Sequence, residues 1–249
     1  MTPLLFAALL FAQDLPKGDL PKASLPSGDA VIARYIEATG GKAAYDKVHN
    51  SVSTGRMMMP AQGINGKITM YEAEPGKNYT SVDIPGIGLV EDGTDGTVAW
   101  EKSALQGARI KTGDEKAFAI RTADSQSKYI NLKKYYKSVE TIDMDQIDGK
   151  PCYKVVQTPA EGKPETAYYE KDSGLLVKET GAMASPMGEI PFETEIGDYR
   201  QEGPLLVPHK MSQSFVGQKM LIVVDSTKFN TEIPKDRFDL PAEVKALIK

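Results

Sequence analysis

The sequence predicts a mainly β fold, a large antiparallel sheet or barrel of about eleven strands that follows a short helical segment. Apolar runs rich in β-branched and aromatic residues recur after His49, and clusters of Gly, Pro, Asn and Asp separate them. Residues 166–180 contain two such runs joined by Asp172-Ser173-Gly174, which favours a tight turn and therefore a β-hairpin. Other runs alternate apolar with polar residues, as strands do when one face covers a core.

The folded part begins with a helix. Val31, Ile32, Tyr35 and Ile36 recur at helical spacing, and Ser27 or Asp29 can cap the helix at its start. Gly40-Gly41 ends it, because glycine readily takes the left-handed conformation found after helices. Residues 42–48 then predict a second short helix.

The remaining elements follow in order. We predict strands at residues 51–59, 67–74, 78–84, 87–91, 97–102, 138–147, 152–158, 166–169, 175–180, 189–199, 205–214 and 219–229. Between the two groups, residues 114–124 contain good helix formers, and residues 129–136 form either a helix or a loop. Pro241 suits the first turn of a short helix at 241–248.

Two strands show which residues share a face. Ile190, Phe192 and Ile196 alternate with the charged pair Glu193 and Glu195. In the same way Val207, Met211 and Phe215 share one face of the later strand, together with His209 and Gln213. One face of the sheet is therefore apolar, and the other is exposed to solvent.

The N-terminus predicts export. Residues 3–12 are apolar and uncharged, which is typical of a signal-peptide core and too short to span a bilayer. We therefore predict a signal peptide at 1–12; the alternative is an apolar tail that packs on the domain. Three prolines make residues 13–26 an extended linker, and one domain occupies 27–249.

Composition and motifs argue against several classes of function. The net charge of −4 argues against a nucleic-acid partner, and a single cysteine, Cys152, excludes an intramolecular disulfide. His49 and His209 are far apart in sequence, and no nucleophile motif such as G-x-S-x-G is present. We therefore predict no catalysis, no metal and no cofactor.

Five stretches resemble the LolA/LolB-like superfamily in the same order. The hairpin Y-Y-E-K-D-S-G-L-L-V-K is similar to that family's aromatic–x–x–D–x–x–G–L–x–x–K hairpin. The other four are L-P-S-G-D-A-V-I-A-R-Y-I-E-A-T-G-G-K at 25–42, D-G-K-P-C-Y-K-V at 148–155, G-P-L-L-V-P-H-K-M at 203–211 and F-D-L-P at 238–241. The superfamily includes periplasmic carriers that move lipoproteins between bacterial membranes.

The resemblance implies an unclosed, strongly curved antiparallel β-barrel with helices that plug its open side. It also implies a periplasmic protein that shelters lipid or lipoprotein acyl chains in a concave apolar cavity. A protein-interaction or envelope-sensing module built on the same curved sheet is the alternative. Either would act as a monomer, with transient contact to a membrane surface or a membrane protein.

Apolar side chains on predicted strands are the candidate cavity lining. Methionine is adaptable enough to pack around variable ligands, although it also fills ordinary cores. Trp100 lines the cavity or sits in a core. The candidate ligand-binding residues are Met57, Met59, Met70, Trp100, Ile190, Phe192, Met211 and Phe215.

Two further segments have open interpretations. Residues 182–192 are apolar and broken by proline, so they form either a flexible lip of the cavity or a loop on the core. Residues 128–137 interleave lysines with Tyr129, Tyr135 and Tyr136, which suits contact with anionic lipid head groups or simply a solvated face.

Overall fold

The structure, a computed structural model, describes residues 25–124, 127–185 and 188–248, with the backbone alone for residues 127 and 128. The predicted signal peptide at 1–12 lies outside the described residues, as does the predicted linker up to residue 24. The predicted division into peptide, linker and domain therefore stays a prediction.

The predicted entry helix is present. It is α1, and the Ser27 side chain caps it by accepting a hydrogen bond from the Ala30 amide at 3.2 Å. Val31, Ile32, Tyr35 and Ile36 form its buried face. The helices α1 to α6 run over Gly28–Ala38, Lys42–Tyr45, Gly113–Ala123, Ser127–Ile130, Leu132–Tyr135 and Ala242–Lys245.

Thirteen strands form one sheet within the described residues. In chain order, β1 to β13 are Asn50–Met59, Ile64–Ala73, Lys77–Ile84, Gly88–Thr94, Ala99–Ser103, Gly107–Ile110, Tyr136–Ile147, Lys150–Pro159, Glu165–Glu170, Leu176–Ser185, Gly188–Glu202, Leu205–Phe215 and Gln218–Phe229. The order across the sheet is β6-β5-β4-β3-β2-β1-β13-β12-β11-β10-β9-β8-β7, and every adjacent pair is antiparallel.

The predicted fold class is confirmed, because the sheet is antiparallel and does not close: β6 and β7 remain its two edges. The sheet has thirteen strands against the predicted total of about eleven, and the twelve predicted ranges each overlap one of them. Strand β6 was missed because its four residues, G-A-R-I, are too few to show alternation.

The sheet curls around α3. This helix contacts β3, β4 and β5 on one side and β10 on the other, although five strands separate β3 from β10 in the sheet. Arg109 on β6 bonds to Glu115 of α3, while Phe118 of α3 packs 6.1 Å from Phe192 of β11 between ring centroids. We call the face toward α1 and α3 the inner face and the opposite one the outer face.

The hairpin of β9 and β10 holds α1 against the sheet. Gly174 has φ +77°, and its amide donates to the Glu170 carbonyl at 2.8 Å, closing the turn as predicted. Arg34 of α1 reaches this turn and donates to the Asp172 carbonyl at 2.7 Å. The hairpin therefore fixes the helix that covers one part of the inner face.

Two apolar clusters cover the inner face. The first lies beneath α1 and includes Ile32, Tyr35, Val155 and Tyr169. We call the second the methionine cluster. Its buried members are Met57, Ile68, Val82 and Ile84, and Met59, Ile64, Met70, Ile87, Val90, Met220 and Ile222 pack against them.

Candidate ligand-binding cavity

A cavity of about 320 Å³ lies between the two clusters on the inner face. This volume is at the lower end of the range of small-molecule sites. Helices α1 and α2 and residue 129 form one wall, and strands β1, β2 and β10 to β13 form the rest. Its apolar lining consists of Met70, Leu176, Ile196, Leu205, Leu206, Val207, Pro208, Met211, Val224 and Phe229.

Tyrosines make up the wall on the helix side. The ring of Tyr35 packs edge-on against Tyr129 at 5.0 Å and against Tyr169 at 5.7 Å. Burial raises the pKa of Tyr35 and of Tyr129 well above the ordinary value. Both phenols are therefore neutral at physiological pH, and this wall presents ring surface without charge.

The hydroxyls of two further lining tyrosines bond within the protein. Tyr199 donates to the Leu176 carbonyl at 2.7 Å, and the Tyr45 hydroxyl lies 2.7 Å from Thr39 Oγ1. These bonds satisfy polar groups that would otherwise be costly beside an apolar ligand. They also hold the rings in place around the cavity.

Two carboxylates, Glu72 and Glu179, and the hydroxyl residues Ser51, Ser53 and Thr227 complete the lining. Ser51 donates to Glu72 Oε2 at 3.3 Å, and the charge of Glu179 contributes to the raised pKa of Tyr129. An apolar cavity with a few placed polar groups is the usual composition of a small-molecule site. The arrangement suits a mainly apolar ligand.

The structure places seven of the eight predicted site residues on the inner face. Met70 and Met211 line the cavity itself. Met57 and Met59 belong to the methionine cluster, with Met58 on the outer face as strand alternation requires.

The three remaining inner-face residues lie beyond the cavity. Phe192 is directly opposite Phe215 in the pairing of β11 with β12, and it also meets Phe118 of α3. Ile190 is opposite Met183 in the pairing of β10 with β11. These three therefore extend the apolar inner face toward the ends of their strands.

Trp100 is not with the others, since it lies on the outer face. It is opposite Gly93 in the pairing of β4 with β5, and its ring is 6.2 Å from that of Tyr79. The reason is the period of two in a strand: Glu101, its neighbour, faces inward and bonds to Arg109. Of the two interpretations of Trp100, the structure shows the core one.

The sequence did not identify the lining tyrosines. Tyr35, Tyr45 and Tyr129 come from helices or their flanks, and only the curl of the sheet brings them to β10–β13. The signal available was the position of Tyr35 in the apolar stripe of α1. That stripe predicted burial and did not show what lay opposite.

The two segments with open interpretations have definite structures where they are described. Strand β10 continues to Ser185 and β11 begins at Gly188, so most of 182–192 is paired sheet and not a loose link; residues 186 and 187 lie outside the described residues. In 128–137, Tyr129 and Tyr136 face the interior, and Lys134 pairs with Asp124 at 2.6 Å.

The described residues contain no group of three or more His, Cys, Asp and Glu side chains placed to hold a metal ion. Within the same ranges, no helix is both long and apolar enough to cross a membrane. Cys152 is fully buried, and this burial raises the pKa of its thiol.

Solved structures with the same architecture exist. A LolA superfamily protein from Nitrosomonas europaea superposes with a TM-score of 0.57 at 10% identity, over 87% of this chain and 99% of that one. The chain has a LolA-like fold. A domain described as an outer membrane lipoprotein-sorting protein, from Vibrio parahaemolyticus, superposes with a TM-score of 0.56 at 16% identity, over 85% and 97% of the two chains.

A third similar structure is a DUF1329 family protein from Desulfovibrio piger, with a TM-score of 0.58 at 12% identity, over 85% of this chain and 95% of that one. No family model matches the sequence, and none of the curated proteins matches it. At these identities the likeness concerns the fold, and it agrees with the resemblance that the five sequence stretches indicated.

Proposed function

We propose that this protein is an exported, periplasmic carrier that shelters an acyl chain of a lipid or lipoprotein in the inner cavity, without catalysis. The observation that carries the proposal is the cavity of about 320 Å³, with its apolar lining, inside a LolA-like sheet. Each methylene moved from water into such a site contributes about 0.8 kcal/mol. The fold likeness to a lipoprotein-sorting domain supports the same function.

The lining suits loading and release. Met70 and Met211 are unbranched and polarizable, so they can repack around chains of different length. The methionine cluster next to the cavity adds Met57, Met59 and Met220, which pack among isoleucines and valines. A soft lining of this kind stabilises the bound chain less specifically than a closely packed one, which favours release.

The test is native mass spectrometry of the protein recovered from the periplasm, followed by solvent extraction of anything bound. We expect adducts of lipid mass that return when the extract is added back to stripped protein. If the protein stays in its apo form with lipid present, this result would contradict the carrier function and favour a protein-interaction or sensing module. Sequencing the N-terminus of the same material tests the predicted cleavage near residue 12.

Variants locate the ligand. Met211→Trp fills the cavity without adding charge, and Met70→Glu places a carboxylate in its lining, so both should reduce lipid uptake. The matched control is Met58→Glu, because Met58 lies between Met57 and Met59 on β1 but faces the outer side of the sheet. Equal uptake by all three folded variants would remove the cavity from the binding site.

A further inference from the structure

Hairpin turns at one end of the sheet form a distinct surface. Because all adjacent strands are antiparallel, successive turns alternate between the two ends of the sheet. The turns β1–β2, β3–β4, β5–β6 and β12–β13 lie at the same end and belong to eight adjacent strands. We call this surface, residues 59–64, 84–88, 103–107 and 215–218, the apolar rim.

The rim carries no charge. The uncharged runs extend into the strands and cover residues 57–66, 84–90, 103–108 and 211–218, although 26% of the whole chain is charged. Two other turns share this end of the sheet. The β8–β9 turn contains Glu161 and Lys163, and residues 186 and 187 of the β10–β11 turn lie outside the described residues, so neither belongs to the rim.

Large apolar side chains at or beside these turns point into solvent. Leu105 is 78% exposed, Val216 70% and Leu89 44%. Val216 has φ +47°, a conformation that disfavours β-branched residues and favours Asn or Gly. The turn therefore has an apolar side chain at a position where the backbone conformation favours a polar residue. Several large apolar side chains exposed at neighbouring turns are typical of a binding surface.

Two exposed lysines beside the rim, Lys67 and Lys210, suit an anionic surface. The other basic neighbours of the rim form ion pairs: Arg56 with Asp225, Lys102 with Glu91, Arg109 with Glu115 and Lys219 with Glu195. Basic residues flank three of the four uncharged runs on both sides, and acidic residues flank the fourth. The flanking pairs are Arg56 and Lys67, Lys102 and Arg109, Lys210 and Lys219, and Asp83 and Glu91. At the opposite end, every turn contains or adjoins an acidic residue: Glu74, Asp95, Asp148, Asp172 and Glu202. Lys77, Lys150 and Lys171 also lie at that end, so the two ends differ mainly in having uncharged turns at the rim and charged turns opposite it.

The rim is also continuous with the cavity. Met59, Ile64, Ile84 and Ile87 lie at the turns and pack in the methionine cluster. Met70 belongs to the same cluster and lines the cavity. Apolar side chains in mutual contact therefore lead along the inner face from the rim to the cavity.

We propose that the apolar rim docks onto a phospholipid bilayer and inserts Leu89, Leu105 and Val216 into its interface. Their apolar surface leaves water on docking, while the exposed Lys67 and Lys210 lie close to the head groups. This goes beyond the carrier function, since docking requires no ligand in the cavity. Docking would place the rim end of the methionine cluster at the membrane.

The test is co-sedimentation of the intact protein with vesicles of phosphatidylcholine and phosphatidylglycerol, in low and in high salt. Leu105→Glu should lower the partition coefficient by about tenfold or more, as expected for a lost apolar anchor. Val216→Asn should lower it while raising the melting temperature, because Asn tolerates the positive φ. The control is Ile142→Glu, at a half-exposed position in the middle of β7 and away from the rim, which should change nothing.

The outcomes separate docking from its alternatives. Rim variants that sediment as well as the unmodified protein overturn the proposal. Binding that disappears in high salt assigns the contact to surface lysines instead of inserted side chains and also overturns it. If the unmodified protein stays in the supernatant, the docking proposal is overturned, and the rim is then better explained as a surface for a protein partner. Lipid adducts in the mass spectrum are scored separately, so failure of docking and failure of the carrier function are distinguishable.

Discussion

Arg121 on α3 forms an ion pair with Glu165 on β9, and the two side chains are only 5% and 14% exposed. The guanidinium also lies 5.4 Å from the ring centroid of Phe118 and 5.9 Å from that of Tyr136. This contact fastens the helix at the centre of the curled sheet to a strand near its far edge.

Arg121→Leu should lower the free energy of unfolding by about 3–5 kcal/mol, because it removes a buried charge that pairs with the largely buried Glu165 carboxylate. Urea denaturation measures the loss. The matched control is Arg56→Leu, since Arg56 pairs with Asp225 in an exposed position and such pairs contribute about 0–1 kcal/mol. Similar losses in the two variants would show that α3 is not fastened by this pair.

Thr39→Val should destabilise the protein by about 1–3 kcal/mol. Thr39 is fully buried, its hydroxyl donates to the Tyr35 carbonyl at 2.8 Å, and the Tyr45 hydroxyl lies beside it. Valine keeps the shape and leaves Tyr45 without this partner. Thr122→Val is the control, because Thr122 makes the same backbone bond, to Phe118 at 2.9 Å, on an exposed face of α3. Thermal unfolding compares the two variants, and equal melting temperatures for them would contradict the prediction.

Alkaline pH should destabilise the protein by ionising the buried tyrosines between α1 and the sheet. Burial raises the pKa of Tyr35, Tyr129 and Tyr169 well above 10.0, since it disfavours the phenolate. Their contribution to the free energy of unfolding is therefore complete below about pH 10 and is lost as the pH rises through the folded-state pKa values.

Absorbance of tyrosinate and thermal unfolding, both followed against pH, check this prediction. We expect the buried tyrosines to ionise together with unfolding, and Tyr129→Phe to make the loss of stability less steep. Titration of all 11 tyrosines at the ordinary value in the folded state would contradict it.

The fluorescence of Trp100, the single tryptophan, should report on the C-terminal segment and not on the cavity. Trp100 is 2% exposed on the outer face, which residues 231–248 cross: Arg237 stacks over Tyr71 and Tyr79, and Glu243 meets Lys102 at 3.6 Å. Removing these residues should shift the emission to the red, because water then reaches the indole.

A fatty acid that binds in the cavity should leave the same emission unchanged in the full chain. A spectral shift on addition of the fatty acid would place the ligand beside Trp100 and contradict the location of the cavity. Phe229→Trp provides the positive control, since it places an indole in the cavity lining by an aromatic-for-aromatic change, and this indole should respond to the ligand.

Local patterns in the sequence determined most of the fold. Alternation placed Phe192 and Ile196 on one face and Glu193 and Glu195 on the other, and the register of β11 with β12 agrees. The turn at Gly174, the cap at Ser27 and the apolar stripe of α1 were predicted as well, because each depends on interactions within a few residues. The short edge strand β6 lacks such a pattern and was missed.

The tertiary structure decided which residues share the cavity. Alternation states that Trp100 and Glu101 face opposite ways, but only the pairing with β4 and the position of α3 show that Glu101 is the inner one. The meeting of Tyr35 from α1 with Met211 from β12 depends on how far the sheet curls. Curvature is the sum of twist over thirteen strands and of packing against α3, and no local stretch of sequence contains that sum.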